Sequence, residues 1–186
     1  CATELRMKRS RSSEDSAWRA TVKLSWDREQ PLCAGEVKTP EEIGEKIVNL
    51  TEILLNAGGF KKTFESEHSI VVELQSPDAP DLTVIDLPGI VRTAVSGQNE
   101  SVIQDVDSLL ERYLKQDRTI ILAVIPSNVD IATVDIIERA SRADPEGKRT
   151  IAVLTKPDMI GEGAHQPVLE TLQNLSKPLK LGYIMT

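Results

Sequence analysis

A chain of 186 residues with 40% hydrophobic content can bury a core, and with only 3% aromatic residues that core is aliphatic. A net charge of −7 argues against a nucleic-acid partner for the domain as a whole. Two cysteines, Cys1 and Cys33, exclude a disulfide framework or a four-ligand metal site, and Cys33 reads as a small packing residue in a reducing compartment.

In chain order, Arg6 to Arg19 is polar and mixed in charge, and reads as a loop or exposed hairpin. Its basic cluster Arg6, Lys8, Arg9 and Arg11 reads as a solvated face balanced by Glu14 and Asp15. Ala20 to Trp26 alternates apolar and polar, as a half-buried strand does. Thr39-Pro40-Glu41-Glu42 predicts a capped helix start, Ile43, Ile47, Leu50 and Leu54 recur at helical spacing, and Gly58-Gly59 stops the helix. Ser69 to Leu74 predicts a strand, broken at Pro77 and Pro80.

From Leu82 the pattern becomes regular. Leu82 to Asp86 has the length and β-branching of a buried strand. A helix follows over about 100–115, with Val102, Val106, Leu109, Leu110 and Tyr113 on one side. Then come an apolar strand from Thr119 to Ile125, a helix from Asp130 to Ala143, a strand over 149–154, a helix near Val168 to Leu175, and a last strand from Tyr183. Strands alternating with helices predict an α/β fold, a mainly parallel sheet with helices on both faces.

Two strand ends carry the chemistry. Asp86-Leu87-Pro88-Gly89 closes one apolar run and Thr155-Lys156-Pro157-Asp158 another. In open α/β sheets, ligands bind beyond the carboxyl ends of the strands. Asp86 stands where a carboxylate can hold Mg²⁺ through water. Gly89 has no side chain, so its amide can approach a γ-phosphate, and Pro88 stiffens the turn. Asp158 can accept hydrogen bonds from guanine N1–H and the 2-amino group, while Lys156 can lay its stem along the base. Adenine satisfies neither bond, and such a site can reject the analogue by on the order of 10⁴. Each motif alone also fits an ordinary turn; together and in this order they point to a guanine nucleotide.

Gly147-Lys148-Arg149-Thr150 looks like a phosphate-binding loop, but Arg142 stands where the leading Gly belongs, so it reads as a helix-to-strand turn. No other segment supplies Gly-x-x-x-x-Gly-Lys-Ser/Thr. His68 and His165 have no partner at ligand spacing and read as solvated.

The stretch from Asp81 to Tyr183 resembles the GTPase domain of the dynamin superfamily, in particular its Mx-type, interferon-induced branch. The matching segments are Asp81 to Ile90, Pro126-Ser127-Asn128-Val129-Asp130-Ile131-Ala132-Thr133, Asp144 to Thr150, and Thr155 to Asp158. The resemblance implies a P-loop-GTPase-like fold and Mg²⁺-dependent hydrolysis of GTP to GDP and phosphate. It implies nucleotide contacts from Asp86, Leu87, Pro88, Gly89, Thr155, Lys156, Pro157 and Asp158. It also implies a G-domain homodimer and higher self-assembly, in which the loop Pro126–Thr133 reaches the partner's catalytic loop and Asp130 is its acidic residue. Gly89 and Asp130 are then the catalytic candidates.

Two departures stand out. The family's Gly-Asx-Gln-Pro is here Ser96-Gly97-Gln98-Asn99, and Gly161 replaces the Asp expected after Thr-Lys-Pro-Asp. The chain starts at Cys1 and stops within the last strand, so residues 1–186 are expected to be a partial G domain. The phosphate-binding loop and switch I are expected before residue 1, and the last base-binding loop after residue 186. Membrane or microtubule association is expected only through such absent parts. With no secretory signal and no run long enough to span a bilayer, the expected location is cytoplasmic or peripheral at membranes. Two other readings remain: a non-hydrolysing scaffold acting through its dimer face, and a different P-loop enzyme such as an ATPase, against which Asp158 argues.

Overall fold

The computed structural model describes residues 1–10, 18–25, 33–56, 68–89 and 101–186, which divide into two compact units, Cys1–Leu110 and Glu111–Thr186. The first unit holds a five-stranded sheet of β1 (Ala2–Arg9), β2 (Arg19–Leu24), β3 (Cys33–Val37), β4 (Ser69–Ser76) and β5 (Leu82–Asp86), in the order β3-β2-β4-β1-β5. Only β1 and β4 run parallel; the other pairings are antiparallel. The expected mainly parallel sheet is therefore wrong for this unit. The link from β4 to β5 is too short for a helical crossover, so β5 returns antiparallel to β4 and to β1, which lies between them.

Register places Leu5 and Val22 on either side of Val72. On that face Ala20, Leu24, Val37 and Ile70 join Leu50 and Leu54 of helix α1 (Pro40–Asn56), with Ile43 and Ile47 against them. The α1 start follows the sequence with one change. Glu42 accepts the N–H of Lys38 at 3.1 Å, one residue before Thr39, where the capping bond was expected. Gly58-Gly59, the predicted stop, lies outside the described residues.

Arg6 to Arg9 belongs to β1, not to a loop. Alternation puts Leu5 and Met7 toward the core side, and Arg6 on the opposite face within 3.7 Å of Glu73, which also binds Lys23 at 2.7 Å. The partners of this basic face are thus on the neighbouring strand and on β1 itself, where Glu4 bonds Arg6 at 2.8 Å. Arg11, Glu14 and Asp15 lie outside the described residues. The buried-strand expectation for Leu82–Asp86 is also corrected. β5 is a sheet edge, and Leu82 and Val84 are 50% and 45% exposed.

Helix α2 (Ser101–Leu114) buries Val102, Val106, Leu109, Leu110 and Tyr113, as its spacing predicts. In the second unit β6 (Ile121–Pro126), β7 (Thr150–Thr155) and β8 (Tyr183–Met185) form a parallel sheet in that order. Helices α3 (Asp135–Ala143) and α4 (His165–Leu172) pack Ile137, Val168 and Leu172 on Ala123, Ile125, Ala152, Leu154 and Tyr183. Both helices share one face, as crossovers of one hand do when they advance in one direction along a sheet. Among the described residues of this unit both crossover helices lie on that one face, and Leu122, Val124 and Ile184 on the other are 56%, 49% and 52% exposed. No helix among the described residues is long and apolar enough to cross a membrane.

Candidate functional site

The two motifs belong to different units. In the first, Asp86 pairs with Thr3 at the end of the β5 ladder, and its side chain is exposed. Leu87 and Pro88 are half-buried and Gly89 is exposed. Among the described residues no atom lies within 4 Å of where a Cβ on Gly89 would stand. Among the described residues no three His, Cys, Asp or Glu gather around a common point. A carboxylate at a strand end can serve Mg²⁺, which draws most of its ligands from phosphates and water. Ser96-Gly97-Gln98-Asn99 lies outside the described residues.

In the second unit the sheet delivers two loops side by side. Pro126 and Thr155 are the last register pair of β6 and β7. Just beyond, the Ser127 N–H donates to the Thr155 carbonyl at 2.7 Å, and the Val129 N–H returns to the Pro126 carbonyl at 3.2 Å. The segments leading to Asp130 and to Asp158 are therefore tied at their roots.

Lys156 is the turning point. Its φ of 56° and ψ of 53° are left-handed, a conformation that costs a non-glycine residue about 1–2 kcal/mol. The turn lets Pro157 open a 3-10 segment, Pro157–Met159, closed by the Met159 N–H on the Lys156 carbonyl at 3.0 Å. Asp158 is exposed on that segment, with no side-chain partner among the described residues. Thr155 is half-buried, its hydroxyl 3.5 Å from the Ile125 carbonyl.

Asp130 does not start α3, as expected, but a separate 3-10 turn, Ile131–Thr133. Its Oδ1 accepts the Ala132 N–H at 2.9 Å, and its carbonyl accepts the Thr133 hydroxyl at 2.8 Å. Val134 precedes α3 and makes no side-chain cap.

Gly147–Thr150 is a turn held from within. The Asp144 carboxylate takes the Lys148 N–H at 3.1 Å, the Arg149 N–H at 2.9 Å and the Thr150 hydroxyl at 2.7 Å. The amides a phosphate would need are already bound. Burial alone would raise the Asp144 carboxyl, but those hydrogen bonds outweigh it and hold the group below its ordinary value. Arg149 in turn donates to the carbonyls of Leu114, Thr119 and Ala143 at 2.6, 3.1 and 2.8 Å, closing the ends of α2 and α3 over the start of β7.

Ser127 enters the sequence reading only as a member of the Pro126–Thr133 loop, with no role of its own. It is 5% exposed, and its hydroxyl has no partner among the described residues. No spacing signal could have marked it, because only its burial makes the hydroxyl unusual.

The sequence profile described as "Dynamin family" matches residues 1–157. The chain is 38% identical over 185 residues to "Interferon-induced GTP-binding protein Mx" of Perca fluviatilis, covering 100% of this chain and 58% of that protein. It is likewise 38% identical over 185 residues to the protein of that name from Epinephelus coioides, 100% of this chain and 28% of the relative. It is 42% identical over 151 residues to "Interferon-induced GTP-binding protein MxE" of Danio rerio, 81% of this chain and 23% of the relative. The chain thus spans between 23% and 58% of the length of these relatives. A profile match over most of its length means that this chain belongs to the dynamin family.

Proposed function

We propose that the chain is part of the G domain of a large, self-assembling GTPase that hydrolyses GTP to GDP and phosphate. The observation that carries this reading is the left-handed Lys156 with the exposed Asp158 at the carboxyl end of β7, in a chain whose relatives are named GTP-binding proteins. Asp158 accepts from guanine N1–H and from the 2-amino group; the Lys156 stem lies along the base, and Thr155 and Pro157 set the turn beneath it.

Asp86 would hold Mg²⁺ through water, and Leu87, Pro88 and Gly89 bring backbone to the γ-phosphate. The ion, when bound, neutralises charge developing on the transferred phosphoryl group. Asp130 works from the partner copy of a G-domain homodimer, where its loop steadies the catalytic loop. The chain contains no Gly-x-x-x-x-Gly-Lys-Ser/Thr, so this reading assigns the phosphate cradle to another part of a longer protein. By itself the chain is then expected to bind GTP weakly and to be inactive.

The test is a competition between GTP and ATP on the full-length protein, with turnover per molecule followed against protein concentration. Guanine-selective binding and a rate that rises with concentration are expected. Equal competition by ATP would remove the base assignment, and a flat rate would remove the trans-acting loop.

A further inference from the structure

The connection between α4 and β8 is braced at several points. Asn174 grips Leu179 twice, accepting its N–H at 2.8 Å and donating to its carbonyl at 2.9 Å. The Tyr183 hydroxyl donates to the Lys177 carbonyl at 2.6 Å. Two non-glycine residues in this bracket are left-handed, Asn174 at φ 64° and Lys177 at φ 45°. Asn tolerates that region; Lys has no short polar side chain to bond locally there. Such a conformation persists only where the surroundings over-determine it, and it clusters at functional sites.

Of the two lysines in this connection, Lys177 and Lys180, the first reaches the Asp130 turn. Lys177 Nζ donates to the Ala132 carbonyl at 3.1 Å, across 45 residues of chain. Ala132 is the residue whose N–H is held by the Asp130 carboxylate. One residue of the 3-10 turn is therefore fixed at its nitrogen by Asp130 and at its oxygen by Lys177.

We propose that Lys177 is a positioning residue for the Asp130 turn, keeping it preformed for a second copy of the chain. The bracket around Asn174 and Tyr183 sets the Lys177 backbone, and the backbone sets the reach of the ammonium. A preformed turn spends no ordering entropy when two copies meet. This role rests on the proposal that Asp130 acts across a G-domain pair.

The test uses the full-length protein. Lys177→Met keeps the apolar stem and removes the ammonium; Lys177→Arg keeps a cationic donor. Two quantities are read: the rise of GTP turnover per molecule with protein concentration, and amide exchange at Ala132, Thr133 and Val134 in the nucleotide-free monomer. Lys177→Met is expected to cut the rise about threefold and speed exchange by a similar factor, the scale of one solvent-exposed contact from a charged side chain. Melting temperature and GTP affinity stay unchanged, and Lys177→Arg stays near wild type. An unchanged rise and unchanged exchange in Lys177→Met would overturn the proposal. So would a lowered melting temperature shared by both variants, which makes Lys177 a plain structural residue. Asp130→Ala separates the two levels. If it abolishes the rise while Lys177→Met retains it, only the positioning role fails; if both retain it, the trans-acting loop fails as well.

Discussion

The Ser127 N–H and the Thr155 carbonyl lie 2.7 Å apart, one step past the last register pair of β6 and β7. This bond joins the root of the loop that carries Asp130 to the root of the turn that carries Asp158. The Ser127 side chain contributes nothing to it: the backbone makes the link, and the buried hydroxyl is left unpaired among the described residues. Ser127→Ala is therefore expected to raise stability by about 1 kcal/mol, since a desolvated hydroxyl is removed and no bond is lost. Chemical denaturation of the two proteins checks this. A loss of stability would mean that the hydroxyl has a partner.

Asp144 makes a pH prediction. Its folded pKa is held below the ordinary 3.8 despite burial, by the Arg149 N–H, the Thr150 hydroxyl and the Lys148 N–H. A depressed folded value gives stabilisation that is complete above the unfolded value and disappears as pH falls through the folded one. Asp144→Asn is expected to be less stable at neutral pH and to show a shallower acid limb below about pH 4. Melting temperature measured from pH 2 to pH 7 tests both, and parallel curves for the two proteins would contradict the account.

Lys156 separates backbone from side chain. Asn accepts the left-handed region more readily than Lys, so Lys156→Asn is expected to hold stability within about 0.5 kcal/mol. It loses the stem along the base, and GTP affinity of the full-length protein should fall by about tenfold. Thermal melts with nucleotide titration distinguish the effects. Unchanged affinity would remove the stem from the base site.

The exposed row Leu122, Val124 and Ile184 should make this chain associate in solution. Leu122→Gln with Val124→Thr keeps the strand and shrinks the patch. Sedimentation at several concentrations is expected to show less association in the double variant, at a stability cost under about 1 kcal/mol. Identical sedimentation would mean that this face does not drive association.

What could be read from the sequence depended on whether local pattern decided the structure. The α1 start, the spacing of Val102, Val106 and Leu109, and two apolar strands, expected to end at Ile125 and Leu154 and running one residue further, are legible because local pattern decides burial there. β1 was not, because Glu4, Arg6 and Lys8 make it look like a polar loop; its polar face is satisfied across strands, as by Glu73 with Arg6. β5 has core composition yet forms an edge, and composition does not report position in a sheet. Thr155-Lys156-Pro157-Asp158 was legible as a motif, but the left-handed Lys156 beneath it was not, since Lys is no marker of that conformation. The bond from Lys177 to Ala132 spans 45 residues and leaves no local trace.

The most direct measurement is a titration of full-length Asp158→Asn with GTP, XTP and ATP. An amide at 158 keeps one acceptor for N1–H but sets a donor against the guanine 2-amino group, where xanthine offers an oxygen. The account predicts that GTP weakens by on the order of 10², that XTP gains on GTP, and that ATP stays excluded. Wild-type GTP affinity with unchanged selectivity among the three nucleotides would contradict it.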